Sequence, residues 1–252
     1  MRLTVTTMAE TIPIETDDGT AEAFLAGRPG DPGVLFFMDA IGLRPQIAQM
    51  VDRIAAWGYL VLAPNVFYRS GTAAELAPKV DLREEGAREA FFSSGVMERV
   101  RDYGPARSDP DAEAWLRTLQ AHAGAGSVAT TGYCMGARLS VRAAGLFPGV
   151  VAGTGGFHGG GLVTDADDSP HRSIAASTAE FVFGHADHDR GMTPEHVATL
   201  EETLLATGRP YLNEVYPDAP HGYTMADTSM YQEAGAERHY AELAGLLART
   251  LG

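Results

Sequence analysis

In the stretch Ser127-Val-Ala-Thr-Thr-Gly-Tyr-Cys-Met-Gly-Ala-Arg-Leu-Ser140, a β-branched run (Val128, Thr130, Thr131) passes directly into Gly132-Tyr133-Cys134-Met135-Gly136. A helical pattern then starts at Ala137, carries Leu139, Val141, Ala144 and Leu146, and stops before Pro148. Strand, tight turn and helix with one reactive side chain at the apex form a nucleophile elbow, here G-x-C-x-G in place of G-x-S-x-G. The glycines have a steric reason: a strand that reverses into a helix this quickly leaves no room for a Cβ two positions either side of the apex. The helix N-terminus points at Cys134 and favours thiolate over thiol. A cysteine is more often a small buried hydrophobe, but the complete elbow around Cys134 argues for a nucleophile.

Outward from the elbow, strand and helix patterns alternate. Val34-Leu-Phe-Phe-Met38 and Tyr59-Leu-Val-Leu-Ala63 are apolar without alternation, as expected of parallel strands covered on both faces. Between them Ile47, Met50, Val51 and Ile54 recur on one face of a helix over Pro45–Trp57. Thr11–Glu15 and Ala21–Ala26, separated by Asp17-Asp18-Gly19, read as antiparallel edge strands. A helix over Pro110–His122 leads into the Val128 strand. Beyond the elbow, Val150–Thr154, Glu180–Gly184 and Tyr211–Tyr216 read as strands. Thr193-Pro194-Glu195 opens a helix, with Thr as N-cap and Pro at N1, and Met230–Leu251 closes the chain as an amphipathic helix. Strands alternating with helices predict a mostly parallel sheet with helices on both faces, in one domain over residues 1–252. Residues 66–108, with charged helical material over Asp81–Arg101 between Ser/Gly/Pro loops, are expected to form a lid or an insertion flanking a pocket.

The totals narrow the function classes. The chain has 252 residues, 45% of them apolar, ample for a core. No apolar run approaches the length needed to cross a bilayer, and Met1–Glu10 has no long apolar core of a signal peptide. The lone cysteine excludes an internal disulfide and fits a cytoplasmic location. A formal charge of −14 repels phosphate backbones and anionic lipid, making nucleic acid and membrane surfaces poor partners. A small-molecule partner is expected, with the chain a monomer or small homo-oligomer.

At neutral pH a thiol, with a reference pKa of about 8.5, needs a base or a positive field. His221, in Tyr216-Pro-Asp-Ala-Pro-His-Gly-Tyr-Thr-Met225, follows the last short strand. Between nucleophile and histidine lies Phe181-Val-Phe-Gly-His-Ala-Asp-His-Asp189, a strand ending in two carboxylates. Counting from the strand favours Asp187 slightly, and counting back from the helix at Thr193 favours Asp189. The order nucleophile, acid, histidine is that of α/β-hydrolases. In a parallel sheet all three fall at carboxyl ends of strands, where such folds place their sites.

These pieces together resemble the dienelactone hydrolase family, cysteine-nucleophile α/β-hydrolases, across nearly the whole chain. The resemblance is carried by the Gly-Tyr-Cys-Met-Gly elbow, the acid after the following strand, the Pro-Asp-Ala-Pro-His-Gly-Tyr segment and the acidic junction at Asp39. It implies an α/β-hydrolase fold with a sheet of about eight strands and hydrolysis of esters or lactones without metal or organic cofactor. It further implies Cys134 as nucleophile, His221 as proton carrier and an aspartate orienting it. The oxyanion hole would be formed by the backbone N–H groups of Met135 and Ala40. Two positions depart from the family pattern: Asp39 stands where a glutamate is typical, and Met225 where dienelactone hydrolase grips its substrate carboxylate with an arginine. Arg69, Arg83 and Arg88 are alternative sources of a cation.

Other residues near these motifs have narrower readings. Asp39 lies near the site or caps a strand end, and His158, after a central strand, lines the pocket or sits in a solvated loop. His185 and His188 crowd the acid loop, but with no matching distant pair of ligands a metal is not expected. Gly159–Gly161 lacks the spacing of a phosphate loop. The rival function is a non-hydrolytic ligand-binding or thiol-sensor protein on the same fold.

Overall fold

The computed structural model describes residues 8–252; the first seven residues, and with them most of the stretch read for a signal peptide, lie outside the described residues. The strands are β1 (Glu10–Thr16), β2 (Gly19–Ala26), β3 (Gly33–Phe37), β4 (Leu60–Pro64), β5 (Val128–Tyr133), β6 (Val151–Phe157), β7 (Glu180–Ala186) and β8 (Tyr211–Tyr216). They form one eight-stranded sheet in the order β1-β2-β4-β3-β5-β6-β7-β8. β1 pairs antiparallel with β2, and β2 with β4, while every later pairing is parallel. β3, β4 and β5 are buried at every position, which is why their sequences are continuous apolar or β-branched runs. With its helices, this is the α/β-hydrolase fold expected from the sequence.

The helices are α1 (Pro45–Ala55), α2 (Ala73–Leu76), α3 (Ala87–Phe91), α4 (Met97–Asp102), α5 (Pro105–His122), α6 (Met135–Leu146), α7 (Pro194–Ala206) and α8 (Glu233–Leu251). Helix α1 buries Ile47, Met50, Val51 and Ile54, each contributing roughly 1.5–3 kcal/mol of apolar burial. α7 starts as expected, with the Thr193 hydroxyl accepting from His196 N–H and Pro194 in the first turn.

Two helical spans differ from the sequence reading. The charged span Asp81–Arg101 is two short helices, α3 and α4, joined through Ser94 and Gly95, whose φ of 94° leaves the helical region. The helix expected from Pro110 begins at Pro105 instead and carries Pro110 inside it. Proline's fixed φ suits a helix start, and two prolines one turn and a half apart offer two such starts.

Strand order places the site. β5 lies mid-sheet between β3 and β6, so the residues following β3, β5, β6, β7 and β8 all emerge at the same carboxyl-end rim. Those segments carry Asp39–Ala40, Cys134, His158, Asp187–Asp189 and His221, respectively.

Candidate active site

Cys134 is held at the apex with φ 55° and ψ −117°, a region that L-residues rarely occupy and that stores roughly 1–3 kcal/mol of strain. The flanking glycines make that bend possible. A Cβ at Gly132 would overlap the carbonyl oxygen of Gly136, and one at Gly136 would lie 2.5 Å from the carbonyl oxygen of Met38. The elbow is therefore wedged against the end of β3 as well as against itself. Its N–H donates to Phe157 O of β6 at 3.1 Å.

The sulfur meets His221 directly: Nε2 lies 3.1 Å from Sγ. On the other side of the ring, Nδ1 is 2.6 Å from Asp189 Oδ2. Asp189 Oδ1 accepts from Gly191 N–H at 2.8 Å, which fixes the carboxylate's orientation. The slight preference for Asp187 is corrected by this geometry. Asp187 accepts from His188 N–H at 2.9 Å and from Asp218 N–H at 3.0 Å, tying the β7 and β8 loops together, and makes no hydrogen bond to His221. The chain turns between the two acids at His188, whose φ is 52°.

The electrostatics follow the contacts. Burial pushes the Cys134 thiol up, but the charge and hydrogen bond of His221 more than offset it, helped by Met135 N–H, and the thiol ends below its ordinary value. Burial lowers the His221 imidazole, and the Cys134 and Asp189 charges reverse that to a net rise. Asp189, pushed up by burial, is drawn below its ordinary value chiefly by the hydrogen bond to His221. The three groups thus favour thiolate, imidazolium and carboxylate in sequence.

Met135 N–H opens helix α6, where first-turn amides have no partner within the helix. Ala40 N–H makes no hydrogen bond among the described residues, and Ala40, Met135, Cys134 and His221 line one cavity of about 610 Å³. Its apolar lining comes from Phe92 just after α3, from Met97 and Val100 of α4, from Tyr103 between α4 and α5, from Pro105 at the start of α5 and from Leu139 of α6. The 66–108 segment therefore supplies much of the apolar lining.

Asp39 lies near the thiol but makes no hydrogen bond to it. Its oxygens take Arg44 Nη1 at 2.7 Å and Nη2 at 3.2 Å, and Ile41 N–H at 3.2 Å. Arg44 also bridges to Asp227, at 2.6 and 3.1 Å, and touches Met225 Sδ. Both Asp39 and Arg44 are only 4% exposed, so this is a buried ion network linking the post-β3 loop to the loop after His221. His158 is buried behind His221, ring centroids 5.4 Å apart, with Nε2 bonded to Thr224 Oγ1 at 2.7 Å; burial holds it well below the usual imidazole value. It borders a small void beside Cys134 and Asp39 and is absent from the lining of the large cavity. His185 is buried against Asn213, whereas His188 is exposed.

Of the arginines left open by the sequence, Arg69 is taken by Asp18 and Asp111, and Arg83 by Asp81. Arg88 lines the cavity with its guanidinium over Phe92. Arg44 and Arg138 were not singled out from the sequence. Arg44's partner Asp227 is remote in the chain and leaves no local signal, but Arg138, four residues after Cys134 on a helix, shares its face by spacing alone.

The sheet topology and the elbow define an α/β-hydrolase with a cysteine at the nucleophile position. A family model described as "Dienelactone hydrolase family" matches residues 21–251. The chain belongs to that family. A protein of Methylorubrum extorquens named "Putative carboxymethylenebutenolidase" is 26% identical over 224 residues, covering 86% of this chain and 72% of its own length. One of the same name from Escherichia coli K12 is 25% identical over 213 residues, covering 82% and 72%. Among solved structures, a "Putative Dienelactone Hydrolase" from Klebsiella pneumoniae aligns with TM-score 0.81 at 20% identity, covering 96% of this chain and 99% of the other. Dienelactone hydrolase from Anabaena variabilis aligns with TM-score 0.62 at 17% identity, covering 97% and 99%. Both structural likenesses speak to the fold. No helix among the described residues is long and apolar enough to cross a membrane.

Proposed function

We propose that the protein hydrolyses carboxylic esters or lactones through a Cys134–His221–Asp189 triad and an acyl-thioester intermediate. The observation that carries this reading is the chain of contacts Sγ–Nε2 (3.1 Å) and Nδ1–Oδ2 (2.6 Å) at the wall of a 610 Å³ cavity. The cysteine thiolate attacks the carbonyl carbon, forming a C–S bond while the carbonyl π electrons move to oxygen. Met135 N–H and Ala40 N–H receive that oxyanion, each such donor lowering the barrier by on the order of 3 kcal/mol. The intermediate collapses, the C–O bond breaks, and the His221 imidazolium gives its proton to the departing alkoxide. Now neutral, His221 takes a proton from water, whose oxygen attacks the thioester; a second collapse releases the acid and returns the thiolate beside an imidazolium. Asp189 stays ionised throughout, keeping Nδ1 protonated and Nε2 aimed at the sulfur.

The relatives' names support an ester or lactone as substrate. The test is turnover of 4-nitrophenyl acetate by wild type and by Cys134→Ala. Multiple turnovers abolished by the substitution are expected. A single stoichiometric release of nitrophenolate with no further turnover would instead identify a thiol that reacts without hydrolysing, as a sensor does.

A further inference from the structure

Phe157 and His158, where β6 ends, fasten both halves of the site. The Phe157 carbonyl accepts from Cys134 N–H at 3.1 Å, and His158 N–H donates to Gly184 O of β7 at 2.8 Å. The same Gly184 oxygen accepts from the hydroxyl of Tyr223, in the His221 loop, at 3.0 Å. From its ring, His158 Nε2 shares a hydrogen bond with Thr224 Oγ1, also in that loop, at 2.7 Å. One residue thus grips the loop that carries the base, while its neighbour grips the nucleophile. His158 does so wholly buried and at φ 38°, a backbone state that histidine enters more readily than most side chains.

These contacts seat the His158 ring edge to face on that of His221, centroids 5.4 Å apart at 66°. Tyr223 and Tyr133 pack around it at 5.0 and 6.0 Å. His221 needs such a support. Its bond from Nδ1 to Asp189 fixes one point of the imidazole, not its plane, and the torsion that turns a histidine ring is broad. Gly160 offers no side chain to hold it: an added Cβ there would stand 3.6 Å from His221 Cε1. His158 also stays neutral, because burial and the charges of His221, His239 and Arg88 hold it well below the ordinary imidazole value. A neutral ring can lie against an imidazolium, whereas a second cation would oppose the charge that steadies the thiolate.

Resting on the hydrolase reading above, we propose that His158 is a positioning residue: anchored by Thr224, its ring is a fixed wall that keeps His221 Nε2 in line with Cys134 Sγ. His158 is absent from the lining of the large cavity, so its influence on substrate passes through His221. The arrangement has a cost that packing alone does not explain. His158 Nδ1 is buried without a hydrogen-bond partner among the described residues, and an unpaired polar atom in the interior is destabilising. An apolar ring would avoid that cost but could not bind Thr224. The hydrogen bond is therefore what a histidine supplies at this position.

The experiment compares wild type with His158→Asn, Thr224→Val and Thr224→Ser, by 4-nitrophenyl acetate kinetics and by the pH dependence of Cys134 alkylation with iodoacetamide. Asparagine tolerates positive φ and is uncharged, so it removes the ring without altering the charge of the site. In His158→Asn, kcat falls about tenfold or more while KM stays within about threefold. Its alkylation profile moves to higher pH, because an imidazolium turned away from the sulfur supports the thiolate less. Thr224→Val shifts both readouts the same way by less, and Thr224→Ser, which keeps the hydroxyl, stays with wild type. A His158→Asn enzyme with wild-type kcat and alkylation profile overturns the proposal, whatever its melting temperature. So does an equal loss in Thr224→Val and Thr224→Ser, which would mark packing at that position and not the hydroxyl. Should His158→Asn fail to fold, the Thr224 pair decides alone. Should wild type turn over no ester, the hydrolase reading fails separately and alkylation decides: a shifted profile in His158→Asn supports the positioning role, and superimposable profiles overturn it.

Discussion

His221 Nδ1 stands 2.6 Å from Asp189 Oδ2, and Asp187, two residues earlier on the same turn, gives its oxygens to backbone amides instead. The two acids are chemically identical and differ only in what they face. Asp189→Asn removes the anion that holds Nδ1 protonated and is expected to lower kcat/KM by about 10²–10⁴-fold. Asp187→Asn should stay within a few-fold of wild type in activity, since an amide oxygen can still accept from Asp218 N–H. Ester kinetics on the two variants decide the matter, and the reverse ordering would remove Asp189 from the triad.

The same contacts set a pH dependence. Burial opposes the Cys134 thiolate and His221 overcomes it, so the folded thiol lies below its ordinary value. Thiolate therefore persists as pH falls beneath about 8.5, and is lost only when pH drops through the depressed folded value. Alkylation by iodoacetamide should accordingly remain fast at neutral pH. In His221→Ala, burial and the Asp39 charge are left unopposed by the imidazolium, and the rise of alkylation rate should move to higher pH by about one unit or more. Superimposable profiles for wild type and His221→Ala would mean that the imidazole and the sulfur are not coupled in solution.

Cys134→Ser tests whether the site is tuned for sulfur. In the proposed triad an imidazolium already stands beside a thiolate, whereas an alcohol must be deprotonated during attack. Turnover of 4-nitrophenyl acetate is expected to fall by about 10²-fold or more, and a serine variant within a few-fold of wild type would contradict an ion-paired resting state.

Where the sequence was informative, the reason lies in burial on both faces. β3, β4 and β5 carry no polar alternation because neither face meets water, so their positions and the parallel order were legible. The elbow was legible because only glycine fits where Gly132 and Gly136 press on backbone carbonyls. The acid was ambiguous because its choice depends on the positive φ of His188, a backbone state that histidine adopts more often than most residues but too rarely for the sequence to assign it. The span over Asp81–Arg101 was legible only as charged helical material, because its composition does not register the break at Ser94 and Gly95 that divides it into α3 and α4. Arg44 was invisible: a buried arginine acquires its meaning from Asp39 and Asp227, and the second of these lies far along the chain.

That network carries a stability prediction. Arg44→Met leaves Asp39 buried at 4% exposure without its counter-charge, and removing one partner of such a pair costs about 3–5 kcal/mol. The half-exposed Asp227 adds little to that sum, being screened by solvent. At roughly 2–4 °C per kcal/mol for a chain of this size, the melting temperature should fall by about 10 °C. Asp39→Asn in the same chain should recover part of the loss, because the buried charge goes with the arginine. A single variant that melts within a degree or two of wild type would show the guanidinium to be dispensable.

Gly136 provides the sharpest steric test, because both of its obstacles are backbone. A methyl group there would press on the carbonyl oxygens of Phe37 and Met38 at the end of β3, and neither can rotate away as a side chain would. Relief requires moving α6 off β3, which drags Cys134 and Met135 N–H away from His221 and Ala40. Gly136→Ala should therefore lose activity out of proportion to its size, with a destabilisation above about 4 kcal/mol. Gly149→Ala is the matched control, since a Cβ there meets nothing within 4 Å. Urea titration and ester kinetics on the pair check both effects. If Gly136→Ala melts like Gly149→Ala and turns over ester at the wild-type rate, the elbow is not wedged against β3 as described.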